Sequence, residues 1–224
     1  MKSDHEVIAA TYWLLRKIIS PFIKYFLIKE VSGLGNIPKS GAAILAFNHQ
    51  SIFDFLCVAA VAPRNIHFLS AEKFFQHPWW KIVMTLTGQI MVRRDEHDKI
   101  EVHDAVEAHA RRGNLIGIFP EGTRSPYEDR MLKAFTGVAQ FALKHSIPVI
   151  PVGIVGTYKV MAKHDTRARL NKIVSIKFGE PLNFKEHHHK HADREICIYV
   201  TENVIGSITK LSGKKYEHYE SRHK

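Results

Sequence analysis

The chain has 224 residues, with 32 lysines and arginines against 22 aspartates and glutamates, giving a formal net charge of +10 and a pI near 9.6. This length suits one large domain, or a domain with an appendage, able to bury a core without staples. The 45% hydrophobic and 24% charged content excludes a disordered chain. Two distant cysteines, Cys57 and Cys197, give neither a disulfide framework nor a zinc spacing; they read as buried free thiols in a reducing compartment.

The N-terminal stretch "TYWLLRKIISPFIKYFLIKE" interleaves lysine and arginine with aromatic and aliphatic residues. The longest charge-free run of the N-terminal segment, Val7 to Leu15, is too short for a bilayer span, which takes roughly 20 apolar residues. With no small-residue cleavage site after it, a signal peptide is not expected. Ser20-Pro21 reads as a cap followed by a first helical residue, predicting helices over about 4–19 and 21–30. In a single bent helix, Lys17, Ser20, Pro21 and Lys24 would share one face. Either way the segment reads as a two-helix or bent-helix element lying on an anionic membrane surface. The expected division is therefore 1–30 for membrane association and 31–224 for a catalytic domain.

Beyond the Gly/Pro-containing turn "VSGLGNIPKSG", strands and helices alternate. "AAILAFN", "NIHFLSA", "QIMVRRD", "NLIGI", "IPVIPVGIVGT" and "KIVSIKFGEPL" read as strands. Helices are predicted in "SIFDFLCVAAVA", "HDKIEVHDAVEAHARRG", "KAFTGVAQFALKHS" and "ADREICIYVTENVIGSITKLSG", with "KFFQHPWWKIVMTLTG" helical or irregular. Short strands alternating with helices predict an α/β fold, a mostly parallel mixed sheet flanked by helices. In such sheets the loops at the carboxyl ends of the strands gather ligands. The loops near His49, Arg93 and Glu121 each follow an apolar strand and fall at that edge.

In "AFNHQSIFDF", His49 and Asp54 stand five apart, at neither helical nor strand spacing. With Ser51 as N-cap, Asp54 occupies the third helical position and faces the amides and dipole of the first turn. From there its carboxylate reaches back toward His49, accepts from one ring nitrogen and leaves the other basic, an arrangement that activates a hydroxyl or thiol. A capping aspartate beside an unrelated loop histidine is the competing interpretation, since fifteen histidines make chance pairs common. In "FPEGTRS", Gly122 permits close backbone approach, Thr123 and Ser125 offer hydroxyls and Arg124 a forked cation, a set suited to phosphate. "GQIMVRRD" supplies Arg93 and Arg94 as a second clamp. "EHHHKH" reads as a solvated loop, not a metal site.

Taken in order, "NHQSIFD", "GQIMVRR", "FPEGTRS" and "IPVIPVGIVGT" resemble the four blocks of the glycerolipid acyltransferases, in particular the 1-acylglycerol-3-phosphate acyltransferase branch, over about residues 30 to 180. The resemblance implies that His49 is a general base and Asp54 its orienting partner. It implies that Arg94, with Arg93 beside it, and Glu121, Gly122, Thr123 and Arg124 bind the acceptor phosphate, and that Pro151 lies on the acyl-donor side. It further implies a lysophospholipid acceptor such as lysophosphatidic acid, and acyl-CoA or acyl-carrier protein as co-substrate. No metal or redox cofactor, no nucleic acid and no covalent acyl-enzyme are expected; the place expected is the cytoplasmic side of a membrane, peripheral or monotopic. Two departures stand out. Arg93 occupies a position where the family often has an acidic or other polar residue, and Lys133 stands four residues before Gly137 where the family's lysine is nearer its glycine. Another lysolipid acceptor, or a non-catalytic lipid-binding protein, are the alternatives.

Overall fold

The computed structural model describes residues 4–93, 99–188 and 190–216. Helix α1 (Asp4–Phe26) leads into strand β1 (Ile28–Ser32); β2 (Ala43–Phe47), α2 (Phe53–Val61) and β3 (Ile66–Ala71) follow. Next come α3 (Lys73–Gln76), α4 (Pro78–Leu86), β4 (Ile90–Val92), α5 (Lys99–Arg111) and β5 (Leu115–Ile118). The chain continues through α6 (Gly137–His145), β6 (Val149–Val155), α7 (Thr157–Val160), β7 (Val174–Phe178) and α8 (Arg194–Ser212).

The seven strands form one sheet in the order β1-β7-β6-β2-β5-β3-β4. Every neighbouring pair is parallel except β6 with β7. β2, with Ile44, Leu45, Ala46 and Phe47 all fully buried, lies at the centre, as an all-apolar strand covered on both faces must. One face of the sheet packs on α1, α2 and α7 through Ile23, Leu27, Val58 and Val160. The opposite face packs on α5, α6 and α8 through Val106, Val138, Phe141, Val204 and Ile208. Gly153 lets α8 lie directly on β6, since a Cβ there would stand 2.7 Å from the Leu211 carbonyl carbon.

The N-terminus differs from the two helices expected over 4–19 and 21–30. α1 is a single helix with Pro21 inside it, and residues 28–32 are a sheet strand, so the expected domain boundary at residue 30 falls within β1. Proline costs a helix one internal hydrogen bond. Here packing offsets that cost: Tyr12, Ser20 and Ile23 are buried along one stripe of the helix, as is Leu27 just after its end. Arg16 also reaches the C-terminal end of α2, donating to the carbonyls of Ala62 (2.6 Å) and Pro63 (3.3 Å). The expected helix from residue 133 begins only at Gly137, because the chain before it is held to the site. Both cysteines are buried free thiols.

Candidate active site

Strand β2 continues into the site through a side chain. The amide of Asn48, fully buried, donates to the Ile154 carbonyl (2.8 Å) and accepts from its N–H (2.7 Å), standing in for a backbone pair beside β6. This anchors the residue before His49 at the carboxyl edge of the sheet.

His49 is then fixed through its own backbone. Its N–H donates to Glu121 Oε1 (2.7 Å), and its carbonyl accepts from Ser125 N (2.7 Å). The loop after β5 thus grips the histidine from both sides. The ring stacks on Phe119 at 4.0 Å and bonds Asp54 Oδ2 through Nδ1 at 2.8 Å. The contact between the two side chains is therefore present.

Asp54 is the second residue of α2, not the third, because the helix begins at Phe53. Ser51 is not the N-cap, a position that falls to Ile52; its hydroxyl accepts from Phe53 N (3.2 Å) and donates to the Met161 carbonyl (2.6 Å). The same Asp54 oxygen accepts from Gln50 N (2.7 Å) and Ser51 N (2.8 Å). Three N–H groups converge on one carboxylate oxygen, the pattern of an ionised acceptor. An acceptor at Nδ1 requires the proton there, so Nε2 of His49 carries the lone pair.

Glu121 is nearly fully buried, and both oxygens are spent on backbone: Oε1 on His49 N, Oε2 on Leu132 N (2.6 Å). Burial pushes its carboxyl up to about 8, against the pull of those two N–H groups. The phosphate ligand implied by resemblance is here a brace across the loop. Gly122 follows with φ 64°, where a Cβ would stand 3.0 Å from the Phe135 ring. Thr123 is exposed. Arg124 is half-buried, with no ion-pair partner among the described residues. Ser125, fully buried, donates to the Arg130 carbonyl (2.9 Å) and ties off the turn.

The other expected residues are placed differently. Arg93, just past β4, faces two carboxylates, Glu72 at 3.3 Å and Glu101 at 3.6 Å. Its charge is balanced within the fold, so it is not an unclaimed fork. Arg94 lies outside the described residues. Pro151 is buried inside the sheet opposite Ala46, its carbonyl accepting from Gly179 N (2.8 Å), away from the His49 contacts. Lys133 is half-buried beside Leu132 in the braced loop. Sequence reasoning passed over Asn48, Gln50 and Phe119, although each lies inside a quoted motif. No cluster of three or more histidines, cysteines or carboxylates able to hold a metal occurs among the described residues.

Fold and site together define an α/β protein with a histidine–carboxylate pair at the carboxyl edge of its sheet, walled by a glycine-containing basic loop. Comparison with known proteins gives the class a family. The family model described as Acyltransferase matches residues 29–155, which include every residue of the site up to the end of β6. A 1-acyl-sn-glycerol-3-phosphate acyltransferase of Borreliella burgdorferi is 30% identical over 193 residues, 84% of this chain and 71% of the relative. One of Helicobacter pylori is 25% identical over 66% of this chain and 65% of its own length; a chloroplastic one of Brassica napus is 30% identical over 64% and 40%. The chain thus spans less than two thirds of the length of these last two. The crystal structure of the 1-acyl-sn-glycerophosphate acyltransferase PlsC from Thermotoga maritima superposes with a TM-score of 0.73 at 23% identity, covering 97% of this chain and 86% of that one, a likeness of fold. The chain belongs to the acyltransferase family.

Proposed function

We propose that this protein moves a fatty acyl group from a thioester, acyl-CoA or acyl-carrier protein, to the free hydroxyl of a lysophospholipid, with lysophosphatidic acid as the preferred acceptor. The observation that carries this reading is the 2.8 Å contact between His49 Nδ1 and Asp54, which leaves Nε2 as a base. A hydroxyl is a weak nucleophile and needs its proton removed as it attacks. In the proposed step Nε2 takes that proton, and the acceptor oxygen forms a bond to the thioester carbonyl carbon. The carbon–sulfur bond breaks, and the proton passes from imidazolium to the leaving thiolate. No oxidation state changes, so the step calls on no redox cofactor, and it calls on no metal.

Arg124, with Thr123 beside it, is the assigned holder of the acceptor phosphate, since it is a basic side chain of the loop that grips His49 and has no ion pair among the described residues. Arg93, already balanced by Glu72 and Glu101, contributes less. Fixing the acceptor beside the base turns a bimolecular encounter into an oriented one. The named activity of the relatives, acyl transfer to 1-acylglycerol-3-phosphate, supports lysophosphatidic acid.

A labelled-acyl transfer assay over a panel of lysophospholipids, with both donors in parallel, tests the reading. Lysophosphatidic acid should be the best acceptor, and His49→Ala should lower the rate by about 10²–10⁴-fold, the usual worth of a general base. Absence of transfer to every acceptor from either donor would overturn it.

A further inference from the structure

The site has a wall that the four sequence motifs do not contain. Helix α8 ends at Gly213 (φ 68°), whose N–H donates to the Thr209 carbonyl (2.8 Å) and turns the chain back across the molecule. The next three residues bind the loop that follows the basic motif. Lys215 N donates to the Asp129 carbonyl (2.8 Å), and Met131 N donates to the Lys215 carbonyl (2.9 Å). Ala134 N donates to the Tyr216 hydroxyl (3.3 Å). The first of the three goes inward: Lys214 is only 8% exposed, and its Nζ donates to the Glu128 carbonyl at 2.7 Å.

That carbonyl has a second donor, Nε2 of Gln50, at 2.9 Å. The backbone N–H of Gln50 in turn bonds the Asp54 oxygen that orients His49. One short chain of contacts therefore joins Lys214 to the histidine–aspartate pair. The charges around the ammonium are lopsided. It lies within electrostatic range of Asp54 from α2 and of Glu121, Glu128 and Asp129 from the loop. Of these, Glu128 is also paired with Lys159 of α7 (3.2 Å), and Asp129 with Arg130 and Lys215 (3.2 and 3.9 Å). Asp54 and Glu121 are buried, and the second oxygen of Asp54 has no hydrogen-bond partner among the described residues. Buried carboxylates are costly without a compensating cation. Burial also weakens the lysine's hold on its proton, and the four acidic groups oppose that effect only in part.

We propose that Lys214 is a positioning residue of the acyl-transfer site: its ammonium balances Asp54, fixes the loop through the Glu128 carbonyl, and keeps the imidazole of His49 neutral and ready to accept a proton. The assignment rests on the reading of His49 as base. Without the ammonium, His49 faces the buried Asp54 carboxylate uncompensated, which favours its charged form.

The test is an NMR titration of the His49 ring, assigned with His49→Ala, in the wild type, Lys214→Gln, Lys214→Met and Lys214→Arg. Glutamine keeps a donor for the Glu128 carbonyl without the charge. The His49 midpoint should rise by about half a unit or more in both neutral variants, and return to the wild-type value in Lys214→Arg. The acid limb of kcat/KM should move the same way. An unchanged midpoint in either neutral variant that retains the wild-type unfolding transition would overturn the assignment, since a mere strut would cost stability without moving a titration. The titration needs no turnover, so a wild type without transferase activity would count against acyl transfer and not against this placement.

Discussion

At the scale of single residues, the site is built by backbone capture. His49 is held through its own N–H and carbonyl by Glu121 and Ser125, and its ring through Asp54 and Phe119. Glu121 is the clearest place to break this. In Glu121→Gln one of the two amides it satisfies, His49 N or Leu132 N, must face an NH2 group. An unsatisfied buried N–H costs about 1–3 kcal/mol, so chemical denaturation should show a loss of that size, with a higher KM for the proposed lysolipid acceptor. Wild-type stability and KM in that variant would remove Glu121 from its bracing role. The His49–Asp54 contact was legible in the sequence because a five-residue spacing across a loop and a first helical turn has few geometries that satisfy both groups. Lys214 was not legible. It lies 86 residues from Glu128, and only the fold brings them together.

At the scale of elements, periodicity foretold most strands and helices, and failed where the partner lay far along the chain. The segment "IKEVS" reads as the end of a helix beside "FIKYFL", yet it is a strand because β7 supplies its ladder, with Val31 opposite Ile176. Likewise the helix expected from residue 133 starts late because Leu132, Ala134 and Phe135 give their N–H groups to Glu121, Tyr216 and Pro120. The packing of α5 on β3 carries a pH signature. His109 of α5 lies 4.3 Å from His67 of β3, and burial, with His67 and Arg112 adding to it, lowers its pKa from 6.5 to about 4. A base with a depressed folded value leaves the unfolded chain binding more protons. Stability is thus full above about 6.5 and falls as pH drops toward 4. His103 and His145 are depressed in the same direction by burial. Urea unfolding across this range should show the decline, and His109→Gln should make it shallower. An identical slope in the variant would contradict the assignment.

At the scale of the whole molecule, no described helix is long and apolar enough to cross a membrane. One flank of α1 nevertheless exposes Leu14, Ile18, Phe22, Tyr25 and Phe26, and Lys17 lies over the Trp13 ring. Helix α4, which touches α1, exposes Trp79, Ile82 and Val83. Aromatic and aliphatic side chains bordered by lysines are what a headgroup boundary takes up. Binding to anionic vesicles in a flotation assay should weaken at least tenfold in a Phe22→Glu, Trp79→Glu double variant, which carries two charges where apolar groups would be buried. The same variant should retain the wild-type unfolding transition, because both side chains are exposed. Undiminished flotation would place lipid contact elsewhere.

The docking of β1 against β7 also bears on synthesis. The strand made first finds its partner only after Phe178 has left the ribosome, because its neighbour in the sheet is the strand made last. Through most of translation the nascent chain carries an unpaired edge next to a helix with an exposed apolar flank, a combination prone to association with other chains. A lipid surface that engaged α1 early would shelter both, acting on the chain before its fold is complete.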